Sequence, residues 1–212
     1  MPDFFLKNQT QIYMLSLEHM WLVGVAMALA VAIGVPLGIL LTRFPWARKP
    51  VLGISNIMQT IPSLALFGFL LPVPWLGAHA DRLAITALTL YALLPIIRNT
   101  YAGISGVDPA VRETARGMGM TDLQILVHVE LPLALSVILA GVRVATVICV
   151  GVATIAAAVG AGGLGEFIFR GVAMVNNDLI LAGAVPAALL AIFADFGLGL
   201  VERKLKPATL EC

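Results

Sequence analysis

The 212-residue sequence is 60% hydrophobic and only 12% charged, with a mean hydropathy of +0.98 and a net charge of +1. A soluble domain carries about a quarter charged residues, so this much apolar surface indicates an integral membrane protein. The balanced charge argues against a nucleic-acid partner, because phosphate binding needs clustered lysines and arginines. Neither the two cysteines nor the scattered histidines have the spacing of metal ligands, so we expect no metal site.

Five stretches are apolar enough to cross a bilayer, which takes roughly 20 residues. They cover about residues 20–41, 52–71, 83–103, 131–159 and 179–201. The fourth is too long for a straight crossing at about 1.5 Å per residue, so part of it should be tilted, interfacial or broken. We predict an all-α polytopic fold with an external N-terminal segment (1–19), a transmembrane domain (20–205) and a cytoplasmic tail (206–212), surrounded by membrane lipid.

Basic residues are concentrated after the first, third and fifth stretches. These segments hold Arg43, Arg48, Lys49, Arg98, Arg112, Arg116, Arg203, Lys204 and Lys206. The alternate segments hold only Lys7, Arg82 and Arg170. Because basic loops stay on the cytoplasmic side, we expect the N-terminus outside and both the 104–130 loop and the C-terminus in the cytoplasm.

The 104–130 loop contains the longest polar interruption in the chain, and its residues indicate two helix starts. Asp108, followed by a proline, is a good N-cap, and Thr121 with a glutamine three residues later forms a capping box. Between them, Gly117 and Gly119 offer a stop, since glycine readily takes the left-handed conformation that ends helices. We predict a short helix from about residue 109, a glycine turn and a second short helix from about residue 122, together forming a docking element.

The same loop carries a spaced motif, formed by Glu113, Ala115, Gly119, Val129, Leu131 and Pro132. It resembles the signature of ABC-transporter permeases: Glu-Ala-Ala, three residues, Gly, nine residues, Ile-x-Leu-Pro. Thr114 stands in place of the first alanine, and Val129 stands in place of the isoleucine. We interpret Glu113, Ala115, Gly117, Gly119, Leu131 and Pro132 as ATPase-coupling residues. Small side chains would let the helix seat closely in a groove of the partner, and Leu131-Pro132 would set the re-entry angle into the membrane.

The likeness extends from about residue 20 to residue 205, through segments 61–66, 91–101, 116–120, 130–135 and 160–165. The chain is similar to the permeases of osmoprotectant importers, which carry glycine betaine, choline and carnitine, and to methionine-importer permeases. The resemblance implies a type I importer in the cell inner membrane. In such an importer, two permeases (a second copy or a related chain) form the path, two cytoplasmic ABC ATPases dock on the coupling helices, and an external binding protein delivers the solute.

The sequence agrees with this division of labour, because it contains no Gly-x-x-x-x-Gly-Lys-Ser/Thr phosphate loop. We therefore expect no enzymatic activity and no cofactor in this chain, with ATP and magnesium used by the partner. Gly160, Gly162 and Gly165 do match a dinucleotide-binding fingerprint, but that pattern has meaning only between a strand and a helix. With Gly163 they indicate a closely packed external turn, which the resemblance suggests as an outer gate.

Arg143 and Asp195 are ionisable residues within apolar stretches, where charges are costly and are usually functional or paired. They lie at comparable depth, so they either pair across two helices or face a polar interior; alternatively, Arg143 snorkels to the cytoplasmic interface. Tyr91 and Tyr101 could contact a passing quaternary ammonium through cation–π interactions, or they could simply pack between helices.

Three alternative functions differ in the features that they require. A permease for another small solute, such as an amino acid, is the nearest alternative. A gradient-driven secondary transporter would have inverted repeats and carboxylates near the midplane. No such repeat is evident, and Asp195 is the one deep carboxylate. A membrane enzyme would need an assembled nucleophile, base or metal site, and none is evident.

Overall fold

The computed structural model describes the backbone of residues 2–205 and the side chains of residues 8–205. This part of the chain contains ten α-helices: α1 (Pro2–Arg43), α2 (Pro45–Thr60), α3 (Ser63–Leu70), α4 (Pro74–Gly77), α5 (Ala80–Ser105), α6 (Pro109–Gly117), α7 (Asp122–Ile125), α8 (Leu131–Ala156), α9 (Gly165–Ala173) and α10 (Asn177–Leu205). A π-helical turn (Leu126–Glu130) joins α7 to α8, and a 3₁₀ turn (Ala157–Val159) extends α8. Cys212 and the predicted tail at 206–212 lie outside the described residues.

Four helical segments are long and apolar enough to cross a membrane, and they contain most of four predicted spans. These segments are Asn8–Arg43, Ala80–Ser105, Asp122–Val159 and Asn177–Leu205. A bent pair, α2 and α3, gives the fifth if the two helices are taken together. The expected all-helical fold is confirmed. The helix of the first span starts at Pro2, so the residues predicted as an external segment continue directly into it.

The second predicted span, residues 52–71, is not one continuous helix. α2 ends at Thr60 and α3 starts at Ser63, with an angle of 103° between them. Ile61 is extended, with φ −69° and ψ 125°, because a residue that precedes a proline is sterically disfavoured in the helical region. Pro62 therefore breaks the span. In α2 none of the residues is buried within this chain.

The predicted coupling-helix pair is present as α6 and α7, but α7 continues through the π-turn into α8. Pro132, the second residue of α8, has no N–H for the carbonyl four residues earlier, and its ring crowds that carbonyl. The helix widens here, and the Leu131 N–H bonds instead to the Leu126 carbonyl, five residues back. Leu131 and Pro132 thus lie at a loosened turn inside a helix, and not at the expected turn between two helices.

The core lies where α1, α5 and α8 pack against one another, and two glycines let α1 approach α5 closely. A Cβ atom on Gly34 would lie 2.8 Å from Ile96 Cγ2, and one on Gly38 would lie 2.5 Å from Thr100 Cβ. Both distances are below van der Waals contact, so larger side chains would push the helices apart. α9 and α10 pack on the other side of α8 and complete the bundle.

Candidate functional site

α6 is a short helix that its own sequence defines at both ends. The Asp108 carboxylate accepts a hydrogen bond of 2.8 Å from the Ala110 N–H, and a proline occupies the first turn. After α6, Gly119 takes the left-handed conformation with φ +82°. At the start of α7, Thr121 and Gln124 form both hydrogen bonds of a capping box. The predicted caps are confirmed, and α6 lies outside the candidate membrane spans.

Ala110, Glu113 and Gly117, which are three and four residues apart, are exposed and lie on one side of α6. Among the described residues, Glu113 has no ion-pair partner. A Cβ atom on Gly117 would meet nothing within 4 Å. We call these three residues the outer face of α6. It is a small-residue surface with one free carboxylate, and a partner protein could approach it closely.

Two of the predicted coupling residues have other roles in this structure. Ala115 is only 2% exposed, so its small side chain packs inside the chain and cannot seat in a partner's groove. Gly119 is exposed and supplies the positive φ of the turn after α6. Neither belongs to the outer face of α6. Ala110 was not predicted, although its position three residues before Glu113 on a helix could have indicated it.

Behind α6 lies a buried carboxylate that the sequence did not indicate as functional. Glu130 is 1% exposed. Its Oε2 lies 2.5 Å from Arg43 Nη2, and its Oε1 lies 3.0 Å from Arg112 Nε. The second contact lacks hydrogen-bond alignment, so it is an ion pair only. Arg112 also donates a hydrogen bond from Nη2 to the Ile104 carbonyl at the end of α5.

The structure brings Arg143 and Asp195 together across α8 and α10. Arg143 Nε and Nη2 each donate to an Asp195 carboxylate oxygen at 3.1 Å. Nη1 donates to Glu202 Oε2 at 2.8 Å, a second partner of Arg143 that the sequence did not reveal. A Cβ atom on Gly199 would lie 3.3 Å from the Arg143 guanidinium carbon, so this glycine makes room for the guanidinium beside α10. Glu202 lies seven residues after Asp195, two helical turns along the same face.

The four glycines predicted at the outer gate form a tight loop at the opposite end of the bundle from Glu130. Gly160, Gly162 and Gly163 have φ values of +78° to +80°. A Cβ atom on Gly165 would lie 1.8 Å from the Thr154 carbonyl oxygen, so no other residue fits without displacement. Glu18 of α1 accepts a hydrogen bond of 3.1 Å from the Gly163 N–H. The loop is therefore fixed to α1, a contact that the sequence did not predict.

The two tyrosines considered for the solute path are engaged in contacts within the chain. Tyr91 is buried, and its hydroxyl donates to the Ile61 carbonyl at the break between α2 and α3. The ring of Tyr101 lies 4.8 Å from the Arg48 guanidinium, so its face is already occupied by a cation. The alternatives for the tyrosines were contact with a passing solute or packing between helices, and Tyr91 packs between helices.

Comparisons with known proteins show the family of this chain. The family described as "Binding-protein-dependent transport system inner membrane component" matches residues 34–207. This chain belongs to that family. It is a multi-pass membrane protein, and the osmoprotectant-permease resemblance found in the sequence is confirmed at the level of relatives.

Two curated relatives and one solved structure illustrate the match. The carnitine transport permease protein OpuCB of Listeria monocytogenes is 44% identical over 207 residues, which cover 98% of this chain and 94% of that protein. The glycine betaine/carnitine/choline transport system permease protein OpuCD of Bacillus subtilis (strain 168) is 50% identical over 179 residues, 84% and 77% of the two chains. A structure of the MetNI methionine ABC transporter in inward-facing conformations shares the fold, with a TM-score of 0.80, 24% identity, and coverage of 90% and 94%.

The permease's Arg143 cluster leads to a prediction about stability. Replacing Arg143 with Ala leaves Asp195 and Glu202 adjacent without a cation, whereas Asp195→Ala or Glu202→Ala leaves Arg143 with one carboxylate. We expect Arg143→Ala to lower the unfolding temperature in detergent more than either carboxylate substitution. The double substitution Arg143→Ala/Asp195→Ala should cost less than the sum of the single ones.

Arg203→Ala is the matched control for this series, since Arg203 is exposed at the end of α10, the helix that carries Asp195 and Glu202. It should leave the unfolding temperature nearly unchanged. Additive losses in the double variant, or a larger loss in Asp195→Ala than in Arg143→Ala, would contradict a shared charge cluster.

Proposed function

We propose that this chain is the transmembrane permease of an ATP-driven importer for quaternary-amine osmoprotectants such as carnitine, glycine betaine and choline. The observation that carries the proposal is the outer face of α6, a capped helix outside the membrane spans that leaves Glu113 unpaired and Gly117 open. Such a surface suits a docking partner. The solute class comes from the printed activities of relatives that are 44% and 50% identical to this chain.

In this proposal the ATPase is a separate cytoplasmic subunit, which binds ATP and magnesium and docks on α6. The N-terminus is outside, the α6 end is cytoplasmic, and the glycine loop faces the external binding protein. ATP binding favours one arrangement of the paired coupling helices, and hydrolysis releases it, so the solute path alternates between two populations. The permease itself carries out no chemistry.

A second permease, identical or related, completes the path. α2 and α3 expose large apolar side chains, among them Ile54, Ile57 and Phe69. α2 has no buried residue in the isolated chain. It is nevertheless part of a bent pair, α2 and α3, that is long and apolar enough to cross a membrane only when the two helices are taken together. A second copy packed on this side would cover the bent pair, and the Tyr91–Ile61 hydrogen bond would hold the bend near the shared path.

The test is ATP-dependent uptake of radiolabelled carnitine, choline and glycine betaine into proteoliposomes that contain the permease, its ATPase and its binding protein. We expect uptake that stops when ATP is replaced by a non-hydrolysable analogue or when the binding protein is omitted. Uptake that persists without ATP and collapses with an ionophore would contradict an ATP-driven importer. Selective uptake of an amino acid in place of the three amines would contradict the solute class.

A further inference from the structure

The cluster of Glu130, Arg43 and Arg112 lies where α6 meets the ends of α1 and α5 and the π-turn before α8. Arg43 is the last residue of α1, Arg112 belongs to α6, and Glu130 ends the π-turn before α8. Through its hydrogen bond to the Ile104 carbonyl, Arg112 also reaches the end of α5. α6 is otherwise an exposed helix whose buried side chain is Ala115. Arg112 is therefore its main polar connection to the membrane helices.

Charge balance makes this connection specific. A buried carboxylate is costly unless it is paired and hydrogen-bonded, and Glu130 is almost fully buried. Two arginines approach it from different helices, and each contacts a different oxygen. Removing either arginine leaves the carboxylate neutralised by the other. Glu130 can therefore keep its charge while its link to one of the two helices is cut.

The π-turn positions Glu130 for this contact. In a π-turn the hydrogen bonds run from residue i to residue i+5, so residues five apart lie above one another. Ile125 and Glu130 are five apart and both are buried. In a regular α-helix, which repeats every 3.6 residues, position 130 would turn away from the face of Ile125. The loosened turn before Pro132 thus aims Glu130 at Arg43 and Arg112.

We infer that the Arg112–Glu130–Arg43 cluster transmits displacement of α6 to the cytoplasmic end of α1, so that these residues are positioning residues for coupling. The inference rests on the proposed docking of an ATPase on α6. When the partner moves α6, Arg112 carries Glu130 and the start of α8 with it, and Arg43 draws the end of α1. A purely structural cluster would stabilise the permease without affecting how much solute moves for each ATP hydrolysed.

The experiment compares Arg112→Ala and Arg43→Ala with wild type in the assembled complex, using carnitine as the transported probe. Uptake and ATP hydrolysis are both normalised to the amount of complex. We expect both variants to assemble and hydrolyse ATP, while carnitine uptake per ATP falls by about fivefold or more, a change as large as the smallest typical allosteric effect on binding affinity. Arg112→Lys, which keeps a cation opposite Glu130, should recover part of the loss.

Arg116→Ala is the matched control, because it removes an arginine from the same helix. Arg116 pairs with Asp122 at 3.6 Å, and both side chains are largely exposed, so little should change. If Arg112→Ala moves as much carnitine per ATP as wild type, the inference is overturned. Proportional losses of uptake and hydrolysis would also overturn it, since they indicate a structural role alone.

Hydrogen exchange of the same complex gives a readout that does not require carnitine to be the solute. In wild type, ATP should change exchange both in α6 and at the end of α1, residues 38–43. In Arg112→Ala the change should be confined to α6. Equal changes at the end of α1 in both proteins would reject the transmission, whereas absent carnitine uptake by wild type would reject only the proposed solute.

Discussion

Replacing Gly117 with Trp is expected to abolish ATP-dependent transport while leaving the permease folded. Gly117 ends α6 and has no heavy atom within 4 Å of an added Cβ, so the indole projects from the outer face of α6 without disturbing this chain. A closely docked partner would have to move away. We expect the loss of ATPase binding in a pull-down and the loss of uptake in proteoliposomes, with unchanged thermal unfolding of the permease alone.

Gly117→Ala is the matched control for this substitution. A single methyl group fits the same open space, and alanine has a higher helix propensity than glycine, so α6 should be at least as stable as in wild type. We expect near-normal ATPase binding and uptake. Gly119 is a poorer test position, because its φ of +82° would strain any replacement and perturb the turn itself. Normal docking and uptake in Gly117→Trp would rule out the outer face of α6 as the coupling surface.

The sequence predicted the helix caps and the glycine turn of this site, because interactions between nearby residues form them. The caps at Asp108 and Thr121, the glycine turn and the starts of α6 and α7 depend on residues no more than three or four positions apart. The depth of Arg143 and Asp195 could also be compared, because both lie within apolar stretches whose polar ends are visible in the sequence.

Long-range contacts account for what the sequence could not predict. The buried Glu130 pairs with Arg43, which is 87 residues away in the chain and ends α1 beside it. The direction of Ala115 depends on how α6 lies against the bundle, which its own periodicity does not specify. Glu18 holds the glycine loop across 145 residues, and no local pattern marks that contact. The contacts of Glu130 and Glu18 join separate helices, so substitutions there test how movement of one helix affects another.

The break between α2 and α3 and the π-turn both arise at prolines that are visible in the sequence. The sequence did not show which proline would end a helix and which would only widen a turn. Pro62 and Pro132 both remove a helical hydrogen bond. At Pro62 the chain bends sharply and the helix stops, whereas at Pro132 it continues with a widened turn. The surroundings of the two prolines differ: Pro62 follows α2, which has no residue buried within this chain, whereas Pro132 follows the ion-paired Glu130.

Replacing Gly38 with Leu should strongly destabilise the permease, whereas Gly24→Leu on the same helix should not. A Cβ atom at position 38 would lie 2.5 Å from Thr100 Cβ and 3.0 Å from the Ile97 carbonyl oxygen, so α1 must shift away from α5. Overpacking of this kind costs about 1–3 kcal/mol, and each lost kcal/mol lowers the unfolding temperature of a chain of this size by about 2–4 °C. Thermal unfolding in detergent measures the difference.

The control and a compensating substitution show whether close helix approach is the cause. A Cβ atom on Gly24 would meet nothing within 4 Å, so Gly24→Leu changes composition and helix propensity equally without a clash. Removing the opposing Cβ with Thr100→Gly should restore part of the stability lost in Gly38→Ala, because it relieves the closest contact of the added methyl group. Two results would show that the α1–α5 approach does not depend on this glycine. One is a Gly38→Ala/Thr100→Gly protein that is less stable than the sum of the two single effects predicts. The other is a Gly24→Leu protein that is as unstable as Gly38→Leu.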